Sequence, residues 1–340
     1  MTTRRIGLLA ALFTVTLAMP AAAEELVVGT FGGTFVDNSK KCHAAAFEKA
    51  TGATVKYVLG SSVQTMAKLR AAGARSELDV AYMDSQIVKQ AKAEGLLQPL
   101  EPAKVAHWND VYDVSRDKDA HWVSMMFAGT MITYNTKLVK EPPTSWADLW
   151  KPEFKGKLAI PDISGTSGQQ FLMAAARLNG GSVENIDPGF EAIKKLKPNI
   201  QMMYTQPDQI IPLFERGDIA LAVWYTDRTG AAALKGVPVA AAYPSEGAIG
   251  IVPTVSVPKA SQKRELAQKY IAVLLSPEGQ LCFGQSQFAG PTNRKVQLPP
   301  DLAKLVPYGP LVQRMCFPDT DLVAKKFPEW SERWGREIAR

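Results

Sequence analysis

Three short stretches of this 340-residue chain carry side chains suited to gripping a small solute. Ser164-Gly165-Thr166-Ser167-Gly168 runs straight into a helical stretch, so backbone N–H groups and hydroxyls converge on a positive helix end. That chemistry suits an anion, and the same run also serves ordinary helix capping. Asp227-Arg228 follows the apolar run Ile219 to Trp224. Arg228 offers a bidentate grip on a carboxylate or phosphonate, or else pairs with its acidic neighbour in solvent. Asp84, with Ser85 behind it, closes another β-rich run. Its carboxylate suits an ammonium group, or caps the helix that follows. Phe31 and Trp224 stand at strand ends, where an aromatic face serves either a ligand wall or the core.

Covalent chemistry finds less support. A nucleophile elbow needs Gly-x-Ser-x-Gly, and residues 165–168 read Gly-Thr-Ser-Gly, one residue short. No HExxH, P-loop or GxGxxG occurs. His43, His107 and His121 are scattered, and each reads as a surface residue rather than a general base. Trp224-Tyr225 is the nearest approach to a tyrosine pair for iron(III), and Met125-Met126 and Met202-Met203 read as core filling. An enzyme is therefore not expected, and no cofactor is implied.

Composition narrows the class further. With 46% hydrophobic and 21% charged residues, the chain is neither disordered nor fibrous, and its length suits two α/β units. Residues 1–23 read as a secretory signal: Arg4-Arg5, an uncharged apolar run from Ile6 to Met19, then Pro20 and three alanines. Cleavage near Ala23 would leave a soluble protein in a bacterial periplasm. Setting Arg4 and Arg5 aside lowers the net charge from +6 to +4, too little for a nucleic-acid binder. Three cysteines in an oxidising compartment allow one disulfide and one thiol. Cys282 with Cys316, both in the C-terminal part, is the expected pair, with three buried thiols as the alternative.

Strand-like runs at 25–30, 54–59 and 78–82 alternate with helical runs at 38–50, 63–72 and 87–94. That rhythm predicts parallel β-α-β units, whose ligands bind at the carboxyl ends of strands. Here those ends are Thr30-Phe31-Gly32-Gly33-Thr34, Gly60-Ser61-Ser62 and Met83-Asp84-Ser85. Val123 to Tyr134 is long and apolar, a strand pair or a crossover into a second unit. The rhythm restarts with strands at 157–160 and 219–224 and helices at 167–178 and 208–216. Two lobes with a cleft between them follow.

The landmarks in order are Gly32-Gly33-Thr34, Leu78-Asp79-Val80, Glu94 to Leu100, Thr144 to Trp150, Pro161-Asp162, Pro244-Ser245-Glu246-Gly247, Ala289 to Asn293 and Pro328 to Trp334. In that arrangement the chain resembles the periplasmic solute-binding proteins of ABC importers, the spermidine/putrescine-binding group above all. The resemblance implies a type II periplasmic-binding fold, with crossovers near Phe127–Thr133 and Val252–Val257. It places lobe one at 24–130 plus 254–290, and lobe two at 131–253 plus 291–340. It further implies a monomer that closes on a solute and docks on a membrane permease.

Position by position, the polyamine pattern is incomplete. Gly33-Thr34 stands where that group has an acid, Ser167 and Gln170 where it has two, and Ile251 and Pro253 where it has an aromatic and an Asp. Trp224 matches. The expected ligand is thus a small polar solute with a cationic and an anionic end, such as an amino acid or ω-amino acid. A polyamine, ferric iron and a phosphonate are the alternatives. The expected ligand-binding set is Phe31, Gly33, Thr34, Ser61, Asp84, Ser85, Phe127, Ser164, Thr166, Ser167, Trp224, Tyr225, Asp227, Arg228 and Glu246.

Overall fold

The structure is a computed structural model that describes residues 23–303 and 305–339, so the expected leader lies outside the described residues up to position 22. β1 (Glu25–Thr30) buries Leu26 and Val28 completely and leads through Gly32-Gly33 into α1 (Thr34–Ser39). One π-helical turn (Lys40–Ala44) continues that helix into α2 (Ala45–Thr51), which Gly52 stops in the left-handed region. Then come β2 (Thr54–Leu59), α3 (Ser62–Ala71), β3 (Val80–Asp84), α4 (Ser85–Ala93), β4 (Leu97–Gln98) and β5 (Trp122–Ser124). After one residue, Met125, the chain enters the long β6 (Met126–Asn135).

The next stretch holds β7 (Leu158–Pro161), α5 (Thr166–Leu178), α6 (Asp187–Leu196), β8 (Ile200–Tyr204) and α7 (Ile211–Arg216). β9 (Leu221–Tyr225), α8 (Thr226–Leu234), β10 (Val239–Ala242) and β11 (Ile249–Ile251) follow. Val252 alone separates β11 from β12 (Pro253–Pro258). The chain ends with α9 (Arg264–Leu275), α10 (Pro277–Gln287), β13 (Gly290–Pro291), α11 (Pro300–Ala303), α12 (Pro310–Arg314) and α13 (Thr320–Glu337).

Two sheets result. The first runs β2-β1-β3-β12-β4, with β5 on β12; the second runs β10-β6-β9-β7-β8, with β11 and β13 on β6. β1, β2 and β3 are parallel, as the α/β rhythm requires, whereas β12 returns antiparallel to β3. The chain thus passes between sheets at Met125 and again at Val252, so all of β6 belongs to the second sheet. That first crossing lies just upstream of the stretch expected from the resemblance.

The two crossings run side by side, Thr254 opposite Ser124 and Ile251 opposite Ala128. The buried Ser124 hydroxyl stands 2.8 Å from the Met126 carbonyl and 2.6 Å from that of Pro253, and it accepts from the Met126 N–H. Thr292, on the third passage, donates its hydroxyl to the Ser124 carbonyl at 2.7 Å.

Each lobe has its own core. Leu26, Val28, Phe47, Tyr270 and Phe283 pack in the first; Trp146, Phe171, Phe190, Trp330 and Trp334 pack in the second. Each such aliphatic or aromatic side chain adds about 1.5–3 kcal/mol by leaving water. Trp330 and Trp334, four apart on α13, are the packing stripe their spacing suggests. Met125 and Met126 are buried core residues.

The expected cysteine pairing is corrected. The disulfide joins Cys42 to Cys282, and Cys316 is the free thiol. Cys42, in the π-helical turn, packs across α10, which carries Cys282, in the same lobe-one core. Cys316 is held elsewhere, bridging backbone to Ile249 on lobe two. His43 also departs from expectation: it is fully buried and stacks on Phe283 with centroids 5.0 Å apart. Reduction should lower the melting temperature by an amount equivalent to about 2–4 kcal/mol, while Cys316→Ser leaves it unchanged, as calorimetry will show.

Burial pushes His43 down from 6.5 to about 4, opposed only in part by a backbone contact at Gly279. Because the folded value is the lower one, the unfolded chain takes up a proton that the native state refuses as pH falls through that interval. Stability should therefore drop by up to about 1.4 kcal/mol per pH unit there. Denaturant titrations of the wild type and of His43→Leu will test this, since the variant should lose that slope.

Candidate functional site

The carboxyl ends of the parallel strands face each other across the lobes and enclose a cleft of about 590 Å³. Lobe one contributes Phe31-Gly32 after β1, residues 59–64 after β2, and Asp84, Gln86 and Ile87 after β3. Lobe two contributes Asp162 and Ser164–Ser167 after β7, Tyr204–Pro207 after β8, and Tyr225, Asp227 and Arg228 after β9. Met126, Ala128, Ile251 and Pro253 floor it at the crossings.

Nine of the expected residues meet here: Phe31, Ser61, Asp84, Ser164, Thr166, Ser167, Tyr225, Asp227 and Arg228. Asp84 makes no side-chain cap for α4. Its carboxylate instead accepts from the Thr166 hydroxyl of the other lobe at 2.7 Å, and Gln86 donates to the same hydroxyl at 3.2 Å. Burial raises Asp84 above the usual carboxylate range, Thr166 and Ser62 oppose the rise, and the charge of Asp227 adds to it. Asp227 is itself buried and raised by burial, against the pull of Arg228 and a 3.2 Å bond from Gln287 of lobe one. Among the described residues neither Asp84 nor Asp227 has a salt-bridge partner.

Arg228 turns instead to the rim. Its guanidinium lies 3.5 Å from Asp208 and donates to the Gly32 carbonyl across the cleft at 3.3 Å. Gly33 is needed at that rim. Its φ is +65°, and a Cβ there would stand 2.6 Å from the Asp208 carboxylate and 3.0 Å from Arg228.

The Ser-Gly run is organised by Asp162. One carboxylate oxygen accepts from the Ser164 N–H and hydroxyl at 2.9 and 2.5 Å, the other from the Trp334 indole at 3.1 Å. Gly165 N–H donates to the Asp162 carbonyl, and Ser167 N–H donates to the Tyr225 hydroxyl. Asp162 thus supplies the acceptor for the Ser164 end of the run.

Five of the remaining residues are placed elsewhere. Trp224 is wholly buried beside Phe214, centroids 6.5 Å apart, because alternation along β9 turns it away when Tyr225 faces the cleft. Phe127 is buried between Tyr112 and Phe317. Thr34 accepts from Gln287 beside the cleft, and Ser85 opens α4 without lining it. Glu246 holds a lobe-two turn, accepting from the Ser145 hydroxyl and the Trp146 N–H.

Sequence reasoning missed the loop after β8, with Tyr204 and Asp208, because the strand Ile200-Gln-Met-Met-Tyr204 went unassigned. Its apolar run before Thr205-Gln-Pro was the available signal.

Two hinged α/β lobes with a strand-end cleft are the architecture of type II periplasmic binding proteins. Residues 43–307 match the family described as bacterial extracellular solute-binding protein, and the chain belongs to that family. It is 28% identical over 246 residues to the spermidine/putrescine-binding periplasmic protein of Escherichia coli K12, 68% of each chain. The gamma-aminobutyric acid-binding protein of Pseudomonas aeruginosa is 26% identical over 311 residues, 86% of this chain and 84% of that one. A crystal structure of an ABC transporter from Clostridium perfringens superimposes with a TM-score of 0.75 at 26% identity, covering 92% of this chain and 99% of that one.

Burial disfavours both acids of the cleft as charges. Asp227→Asn should stabilise the ligand-free protein by about 1 kcal/mol, read as a higher melting temperature; a fall would show that the charge is compensated.

Proposed function

We propose that this chain is the periplasmic capture component of an ABC importer and that its solute carries an ammonium group held between Asp84 and Asp227. The observation that carries this reading is the pair of cleft carboxylates, one from each lobe, Asp227 buried and Asp84 partly so, neither with a salt-bridge partner among the described residues. A buried charge is costly until it is paired, so an ammonium ion gains from both acids at once. The solute would bind the open cleft, and closure about Met125 and Val252 would bring the lobes together on it. A leader cleaved near Ala23 would place the protein in the periplasm, and a membrane permease would take the solute from the closed form.

The alternatives fare less well. With Asp84 and Asp227 both on one ammonium, a dication would need a further acid for its far end, and Asp162 is committed to Ser164 and Trp334. Iron(III) would need phenolates, yet burial raises both Tyr204 and Tyr225 above the ordinary phenol range. One observation favours an ω-amino acid as a second reading. Arg228 lines the same cleft, and a ligand carboxylate would displace its contacts with half-exposed Asp208 and the Gly32 carbonyl.

Amines should raise the melting temperature in proportion to occupancy. Titration calorimetry should show Asp84→Asn weakening the affinity about tenfold or more. The wild type should release amines on acidification at a pH above the ordinary carboxylate range, because both acids are raised. Amine binding indifferent to Asp84→Asn would refute the reading.

A further inference from the structure

Resting on that reading, we infer that the solute is an amine with an extended apolar body, which lies from the two acids outward over a fixed apolar lip formed by Leu59 and Val63. Both residues line the cleft, yet they are 57% and 56% exposed, which places them at its mouth. They are the two strongly exposed large apolar side chains on this cleft. Exposed leucine and valine carry a free-energy penalty in water that an apolar ligand would relieve.

The lip is not a floppy loop. Leu59 ends β2 and Val63 is the second residue of α3, whose start Ser61 and Gln64 fix with a reciprocal capping box. Gln64 N–H donates to the Ser61 hydroxyl at 3.3 Å, and Ser61 N–H donates to the Gln64 side chain at 2.8 Å. The backbone that carries the two apolar side chains is thus fixed before any ligand arrives, which lowers the ordering cost of binding.

Beyond the lip, Phe31, Phe35, Ile87, Met126 and Ile251 supply apolar surface among polar side chains that include Gln86, Thr166, Ser167 and Gln169. Phe31 sits edge-on to Phe35, and Met126 and Ile251 lie on the floor. Among the described residues the one cation on the cleft, Arg228, is engaged at the rim with Asp208 and Gly32. About 590 Å³ is also the size of sites that enclose ligands well beyond a bare ammonium head. A charged inner end, apolar surface on Phe31, Met126 and Ile251, and an apolar mouth fit a monocation with a hydrocarbon or aryl tail.

Titration calorimetry on the mature protein with ethylamine, butylamine, hexylamine and phenethylamine tests this directly. Affinity should rise about twofold to fourfold per added methylene. In Leu59→Ser/Val63→Ser the hexylamine-to-ethylamine affinity ratio should collapse toward one. A flat series in the wild type, with amines still bound and Asp84→Asn still harmful, overturns the apolar body and spares the parent reading. A steep series untouched by the double variant overturns the lip. Gamma-aminobutyrate binding more tightly than hexylamine puts the far end on Arg228 and overturns the inference as well. No amine binding at all removes both readings together.

Discussion

The structure depends on two strands that leave one sheet and enter the other side by side. Met125 and Val252 are the crossing points, and the Ser124 hydroxyl sits between the carbonyls that flank them, on Met126 and Pro253. A single buried oxygen therefore keeps both passages in register, and Thr292 adds the third passage to the same node. Because β12 is bound to β3 while β11 is bound to β6, any movement of the lobes turns on this narrow waist rather than on the sheets. The cleft is where it is because Asp84 and Ile251 are each a short step from that waist.

Closure is then a matter of what crosses the gap. Thr166 reaches Asp84, Gln287 reaches Asp227, and Arg228 reaches the Gly32 carbonyl. These contacts are polar and few, and two of them end on acids disfavoured as charges by burial. Two of the contacts across the gap therefore end on the acids proposed to hold the solute. Asp162 extends the arrangement outward, tying the loop before α5 to Trp334 on the last helix.

Much of this was legible in the chain. The alternation of strands and helices up to residue 94 gave three strand ends, and Phe31, Ser61 and Asp84 all stand there. Asp227 and Arg228 were found by their place after an apolar strand. What failed was direction. Trp224 and Tyr225 are neighbours at the end of one strand, and only the pleat decides which of them meets the cleft. The Ser-Gly run reads from sequence as either an anion site or a helix cap, and Asp162, which binds Ser164 at its start, stood only as a landmark. Cys42 lies 240 residues from Cys282, and proximity in sequence favoured the wrong partner, since α10 returns to the N-terminal helix only through the long excursion into lobe two.

That disulfide has a mechanical consequence. Both of its cysteines belong to one core, so the two ends of the bond travel as one body when the lobes part. It resists the peeling of the first helix from its lobe, yet it lies outside the coordinate along which the cleft opens. Oxidation can therefore harden the protein without stiffening its action.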